Sequence, residues 1–458
     1  MKNLRLSLLL TLIIFGLSAC AGTREKPNSS GSLSGFDKIS DDSLLTLVEY
    51  RTFQYFWDGA EPVSGLARER FHVDGDYPEN DMNVITSGGS GFGIMGIIAG
   101  IERKFITREE GLQRFIRIVS FLENADRFHG AWPHWIYGET GRVKPFSPKD
   151  NGADIVETAY LVQGLLTLRQ YLKDGSEEEK SLAARIDKLW REVEWNWFTK
   201  GGEKVIYWHW SPDYGWAMNF PVKGYNECLI LYVLAASSPT FPVDPLVYHE
   251  GWARNGKIIS TQKAYDIPLI LSHNNAEKYG GPLFWSHYSY LGLNPRGLSD
   301  RYADYWQLNV NHTLINYEWC STNTKNYKGY SKSRWGLTAS YSPSGYAAHA
   351  PGEDTDLGVI SPTAALSSFP YTQSESMRAL KDFYYNLGDK VFGKYGFYDA
   401  FSEQSNWYPK RYLAIDQGPE LVMIENYRSS LLWHLFMSSD DIKNGLNKLG
   451  FKITISKN

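Results

Sequence analysis

Apolar residues recur along this chain at intervals of three and four, run after run, and each run gives way to a stretch rich in aromatic residues and glycine. That spacing predicts helices over 41–57, 90–103, 107–123, 154–172, 176–195, 224–236, 260–271, 299–315, 361–368, 373–387, 420–436 and 439–448. Several starts carry capping residues: Ser40 with Asp41 and Asp42, Thr107 with Glu109 and Glu110, and Thr372 with Glu375 three positions on, a capping-box pattern. Strand-like alternation is rare and short, as in Lys204–Trp208.

Two kinds of helix alternate. Ile94–Gly100 and Leu229–Ala236 are apolar on every face, as helices buried on all sides must be, whereas Leu112–Val119 is amphipathic. About a dozen such helices predict an all-α fold, an (α/α)6 toroid of six helical hairpins with long aromatic-rich loops at one end. A generic helical bundle accounts for the same periods; the long loops favour the toroid, because bundle loops are short.

The N-terminus follows a different pattern. Lys2 and Arg5 precede an apolar run, Leu6–Leu17, too short to span a bilayer and suited to a signal peptide. Leu17-Ser18-Ala19-Cys20 has the lipobox pattern of bacterial lipoproteins. Residues 1–19 are therefore expected to be a signal peptide, Cys20 the lipidated first residue, 20–38 a flexible tether and 39–458 one helical domain. Ala21 in place of an aspartate permits outer-membrane sorting in a Gram-negative cell, so an outer-membrane lipoprotein facing the periplasm or the exterior is expected, held to the membrane by its lipid only.

Composition adds one outlier. With 16 Trp, 30 Tyr and 22 Phe the chain is rich in side chains that stack on sugar rings, though a large aromatic core has the same composition. The net charge of −4 gives no reason to expect a nucleic-acid partner. Cys228 and Cys320 make no disulfide framework, and no His or Cys spacing marks a metal site. A monomer is expected.

Three carboxylate groupings stand out. Asp154 and Glu157 share one helical face at the start of an apolar helix, with Asp150 just before them. Capping alone accounts for such acids, but a buried carboxyl needs a partner or a function. Glu227 opens a second apolar helix, a setting that raises a carboxyl pKa and suits a general acid. Asp416 sits on a Gly-Pro loop ahead of a third helix, in which Glu425 and Arg428 can pair. Glycosidic cleavage needs two carboxyl groups across the scissile oxygen, so Glu227 with Asp416 is a sensible pair, and Asp154 and Glu157 would line the same cavity. The sequence leaves these roles exchangeable.

At these residues the chain resembles the glycoamylase-like module of bacteria, which includes glycoside hydrolase family 144, the endo-β-1,2-glucanases. The matching stretches include TFQYFWDGAEPVSGLARER, ADIVETAYLVQGLLTLRQY, GWAMNFPVKGYNECLILYVLAASSPTFP, GPLFWSHYSYLGLNPRGLSD, the segment from Trp335 to Thr372, KYGFYDAF and YLAIDQGPELVMIENYRSSLLWHLFM, in one collinear order over roughly 45–437. The resemblance implies an (α/α)6 toroid with no required metal or cofactor, and hydrolysis of β-1,2-glucan, endo-acting and inverting. It carries the acid onto Glu227 through GYNE, the base onto Asp416 through IDQGP, and further active-site carboxylates onto Asp154, Glu157 and Asp150. In related enzymes the base reaches its water through a substrate hydroxyl. Tyr225, His287, Trp335, Tyr427 and the Trp132–His134 loop are candidate substrate-binding positions, each equally open to a packing role. An exo-acting member releasing sophorose, with the 238–262 loop shaping one end of the groove, and a non-catalytic glycan-binding lipoprotein are the alternatives.

Overall fold

Short β pairs pin the starts of three buried helices, and glycine strips side-chain bulk from the interiors of two of them where they meet. The structure, a computed structural model, describes residues 38–454. The expected signal peptide, Cys20 and nearly all of the tether lie outside the described residues. What is described falls in one compact unit and is helix-rich: α1 Asp41–Trp57, α2 Ser87–Glu102, α3 Arg108–Asn124, α4 Ile155–Leu172, α5 Glu177–Arg191, α6 Leu229–Ser237, α7 Tyr305–Thr322, α8 Pro362–Ser367, α9 Gln373–Asp382, α10 Ala414–Ser429, α11 Leu431–Met437 and α12 Asp440–Lys448. The strands form small two- and three-stranded pieces. Among the described residues no helix is long and apolar enough to cross a membrane.

α2, α4, α6, α8 and most of α10 are buried around their whole circumference, as their continuous apolar runs require. α2 packs between α4 and α10, α10 also meets α8, and α4 also meets α6. The amphipathic α3 and α5 bury one stripe each and expose the other. Both are closed by capping boxes, Thr107 with Glu110 and Ser176 with Glu179. Connections from buried to amphipathic helices are short (103–107, 173–176 and 368–372), whereas those returning to a buried helix are long (58–86, 125–154, 192–228, 323–361 and 383–413). The long segments therefore gather at the N-terminal ends of the buried helices.

Several boundaries depart from the periodicity. Residues 260–271 are not helical; they hold a hairpin, Lys263–Ala264 against Ile267–Pro268, turned by Tyr265 and Asp266 at positive φ. The expected helix at 299–315 starts only at Tyr305, because Asp300 folds a turn by accepting from the Tyr302 and Ala303 amides and Asp304 is the cap. Thr372 makes no capping box; its hydroxyl bonds back to the Ser368 carbonyl. The expected helix at 420–436 begins earlier, at Ala414, and breaks at Ser430, which has φ 59°. Glu425 and Arg428 do not pair: Glu425 accepts from Arg103 at 2.6 Å, and Arg428 reaches the buried Glu49 and Asp42.

Glycine sets the spacing of α2 and α4. A Cβ at Gly91 would sit 2.2 Å from the Tyr160 carbonyl oxygen, and one at Gly164 would sit 2.2 Å from that of Gly91. Gly91→Ala gains about 1 kcal/mol of helix propensity, but the backbone it meets cannot yield as a side chain would. We predict a net destabilisation of about 1–3 kcal/mol, the range for overpacking, read from the chemical denaturation midpoint.

Candidate active site

Three β pairs deliver the acids. Val84–Thr86 pairs with Trp135–Tyr137, bringing His134 beside the start of α2; Ala153–Asp154 pairs with His209–Trp210 at the start of α4; Arg70–His72 pairs with Arg411–Leu413 at the start of α10. Orphan amides at these helix starts favour negative charge.

Asp154 is both cap and cluster member. Its Oδ1 accepts from the Val156 and Glu157 amides at 3.0 and 2.9 Å, while Oδ2 accepts from His134 Nδ1 at 3.1 Å. His209 Nε2 lies 3.6 Å from Asp150 and 3.9 Å from Asp154. Glu157 Oε2 accepts from the Gly88 amide at 2.9 Å, at the start of α2, where a Cβ would stand only 2.3 Å from that oxygen. Burial alone would lower the His134 pKa, but the charges of Glu157, Asp154 and Asp150 outweigh it and raise it to about 9. Burial would raise Asp154, yet the hydrogen bond and charge of His134 hold it below its ordinary value. Burial chiefly raises Asp150 and Glu157, each to about 7. The ligand atoms of His134, Asp150 and Asp154 lie within 4.8 Å of one another, a set able to take a divalent cation once His134 gives up its proton. No motif spacing in the sequence marks these three residues as a ligand set.

Glu227 is in the turn just before α6, not within the helix, since Gly224 at φ 75° delays the helix start. Its carbonyl accepts from Ser289 and Tyr160, which fix the backbone, and burial raises its carboxyl to about 7, with a further push from the charge on Glu157. Asp416 lies in the first turn of α10 rather than on a loop, and is 4% exposed. Burial is the first cause of its pKa standing well above the carboxylate range; the carboxyl of Asp399 is the second. Tyr288 ties the groups together: its hydroxyl feels the charges of Asp416, Glu157 and Glu227 at once.

Other expected positions fall elsewhere. Trp132 is fully buried and donates to the Leu122 carbonyl at 3.2 Å; Trp335 is fully buried against Tyr317. Tyr225 is fully buried, its hydroxyl held by Tyr290 and Asn309 at 3.1 Å. His287 is buried, bonded to Ser368, with burial lowering its pKa to about 3. These four pack the core and offer no free face to a sugar. Tyr427 lies eleven positions beyond Asp416 on α10, about 16 Å along the axis at 1.5 Å per residue, where its ring meets Phe369 at a tilt and it lines a cavity with Arg103 and Arg428. The 238–246 part of the expected groove loop leaves the far end of α6, where Thr240 bonds the Arg191 carbonyl at the end of α5.

The structure brings in residues that the carboxylate patterns did not single out. Phe146 stacks on His134 at 4.3 Å with half its surface exposed, and Phe220 stands edge-on to His209. Tyr346, on the hairpin joining Ala339–Ser342 to Gly345–Ala348, turns its hydroxyl toward the charges of Asp416 and Asp399. Asp399 lies in KYGFYDAF, a stretch read only for its resemblance.

His134 carries a testable sign. Its folded pKa lies above the unfolded value, so its contribution to stability is fully present below about 6.5 and is lost as pH rises through about 9. Histidine-ring NMR is predicted to show His134 still protonated at neutral pH, and Asp154→Asn to lower its pKa.

The Glycoamylase family model matches residues 219–440. An endo-β-1,2-glucanase from Chitinophaga pinensis, solved with sophorotriose and glucose, is 66% identical, with a TM-score of 0.90 over 91% of this chain and 99% of that one. A structure from Bacteroides caccae, provisionally named a glucoamylase, is 62% identical, with a TM-score of 0.89 over 91% of this chain and all of that one. An exo-β-1,2-glucooligosaccharide sophorohydrolase from Parabacteroides distasonis is 45% identical over 90% of this chain, which spans 58% of that relative's length. Near-complete mutual coverage at such identity means that this chain belongs to the glycoamylase-like family of bacterial β-1,2-glucanases, glycoside hydrolase family 144.

Proposed function

We propose that this protein hydrolyses β-1,2-glucan, endo-acting and with inversion, on an (α/α)6 toroid. In this reading α2, α4, α6, the turns at 283–290, α8 and α10 form the inner ring, and the long segments at their N-terminal ends build the groove. The observation that carries the reading is Tyr288, whose ring meets Phe92 of α2 at 5.2 Å and Tyr160 of α4 at 5.5 Å, while the Tyr160 hydroxyl donates to the Glu227 carbonyl at 3.4 Å; the acids of these helix starts and Asp416 all act on its hydroxyl, which supports one shared cavity. The likeness to the C. pinensis endo-glucanase supports the linkage and the endo mode.

Glu227 is the acid. With its pKa raised to about 7, it keeps a proton near neutrality and gives it to the glycosidic oxygen as the C1–O bond breaks. A water attacks C1 from the opposite face, and its proton passes to Asp416, directly or through a substrate hydroxyl. Glu157, Asp150 and His134 bind sugar hydroxyls, with the fully buried Asp154 holding His134 in place, and the exposed rings of Phe146, Phe220 and Tyr346 offer stacking faces. The cluster's charged His134 supplies a donor, and its carboxylates supply acceptors. The P. distasonis relative favours a second reading, exo-action releasing sophorose. The retention of both acids speaks against a binding protein without catalysis.

Wild-type protein incubated with linear glucans of different linkage is predicted to shorten only the β-1,2 chain, with a spread of oligosaccharides appearing early; sophorose as the sole early product would favour the exo reading. Glu227→Gln and Asp416→Asn are each predicted to lower kcat by at least about 10²–10⁴-fold, with folding unchanged by circular dichroism. The kcat/KM of the wild type is predicted to fall as pH rises through about 7, because Glu227 then loses its proton. As a separate proposal, Cys20 is lipidated and holds the enzyme to the outer membrane; Cys20→Ser is predicted to move the protein from the membrane to the soluble fraction.

A further inference from the structure

We propose that Asp399 is a positioning residue for the base: it shares one proton with Asp416 and so sets when Asp416 is free to accept another. This rests on the reading of Asp416 as base. Asp399 is fully buried and Asp416 nearly so, each keeps one carboxyl oxygen that no protein donor reaches, and the two groups interact directly. Ionised carboxylates only accept, so two that meet without a donor need a proton between them.

The surroundings say where that proton rests. Asp399 Oδ2 accepts from the Tyr341 amide at 2.7 Å, and the Asp399 amide donates to the Arg411 carbonyl at 2.9 Å, so Asp399 is fixed by the 339–348 hairpin and by the strand that feeds α10. No other protein group bonds Asp399 Oδ1 or Asp416 Oδ2. The ionisable groups facing the pair are Glu69, itself bound to Arg70, Glu420 one turn along α10, and the hydroxyls of Tyr288, Tyr341 and Tyr346. Among the described residues no Lys or Arg forms an ion pair with either acid. Two buried carboxyls without a cation do not both ionise near neutrality. The Tyr341 amide favours charge on Asp399, leaving the proton on Asp416.

Turnover then has a proton inventory. The shared proton moves from Asp416 to Asp399, and Asp416 takes the proton released by the attacking water. Glu227 has meanwhile given one to the leaving oxygen. The pair ends with two protons and Glu227 with none, so the enzyme's proton count is unchanged, and return of one proton to Glu227 resets it.

Asp399→Asn keeps an oxygen for the Tyr341 amide and turns an N–H toward Asp416, removing both the shared proton and the like charge. With linear β-1,2-glucan, the acid limb of its kcat/KM profile is predicted to move to lower pH by about one unit or more, the size expected for strongly coupled acids. An unmoved acid limb in a folded Asp399→Asn enzyme would overturn the proposal. Infrared difference spectra supply a second reading that does not depend on that variant: Asp416→Asn is predicted to lose a protonated-carboxyl stretch that the wild type shows at neutral pH, and retention of that band would equally overturn it. Near-normal activity of Asp416→Asn would remove the base reading itself, and this inference with it. An inactive Asp416→Asn beside an unmoved Asp399→Asn profile would remove this inference alone.

Discussion

Taking a carboxyl group out of water costs several kcal/mol unless a donor, a cation or a proton compensates. Here the problem is met repeatedly at one end of the buried helices, with a different compensation each time. Asp154 takes two helix amides and a charged histidine. Glu157 takes the Gly88 amide at the start of a neighbouring helix. Asp416 leans on the proton it holds with Asp399, and Glu227 is driven up to about 7 and keeps its own. Acids left in such different protonation states at one end of the buried helices are what glycosidic cleavage requires, a donor and an acceptor of protons at the same pH. The catalytic asymmetry follows from how each helix start satisfies its carboxyl.

Close packing makes that arrangement rigid. α2 and α4 approach until glycine backbones touch, so Glu157 on one can reach an amide on the other. The short β pairs then lock each helix start in register, and a shift of one residue would turn Asp154 away from His134. The other end of the same helices is held by a salt-bridge network, Arg103 with Glu425 and Arg428 with Glu49 and Asp42. Burial raises Glu49 to about 7 even so. Both ends of α10 thus carry buried acids, but those at the C-terminal end are paired with arginines, whereas Asp416 at the N-terminal end has no cation among the described residues.

Helices were legible in the sequence wherever the apolar period was long, and least legible where a local hydrogen bond overrode it. Asp300 cut back the start of α7, and the turn at Tyr265–Asp266 converted an apolar run into a hairpin. The acids that the family motifs carry were legible because they stand at helix starts, where an acid in an apolar context is conspicuous. The aromatic positions were not. Trp132, Tyr225 and Trp335 look the same in sequence whether a ring faces a sugar or the core, and burial decided for the core. Phe146, Phe220 and Tyr346 have no sequence signal of their own, since their exposure depends on where distant loops meet. His209 and Asp399 escaped for the same reason: the cross-strand pair with Asp154 and the meeting of Asp399 with Asp416 join residues on separate elements.

The most direct measurement is a crystal structure of Glu227→Gln with a linear β-1,2-glucan oligosaccharide bound. The account predicts that one glycosidic oxygen lies at the residue 227 carboxamide, with Asp416 across the sugar from it and the flanking rings held by Glu157, Asp150 and His134. A glucan seated elsewhere, or one in the cavity with Asp416 out of reach of both the attacking face and its hydroxyls, would contradict it.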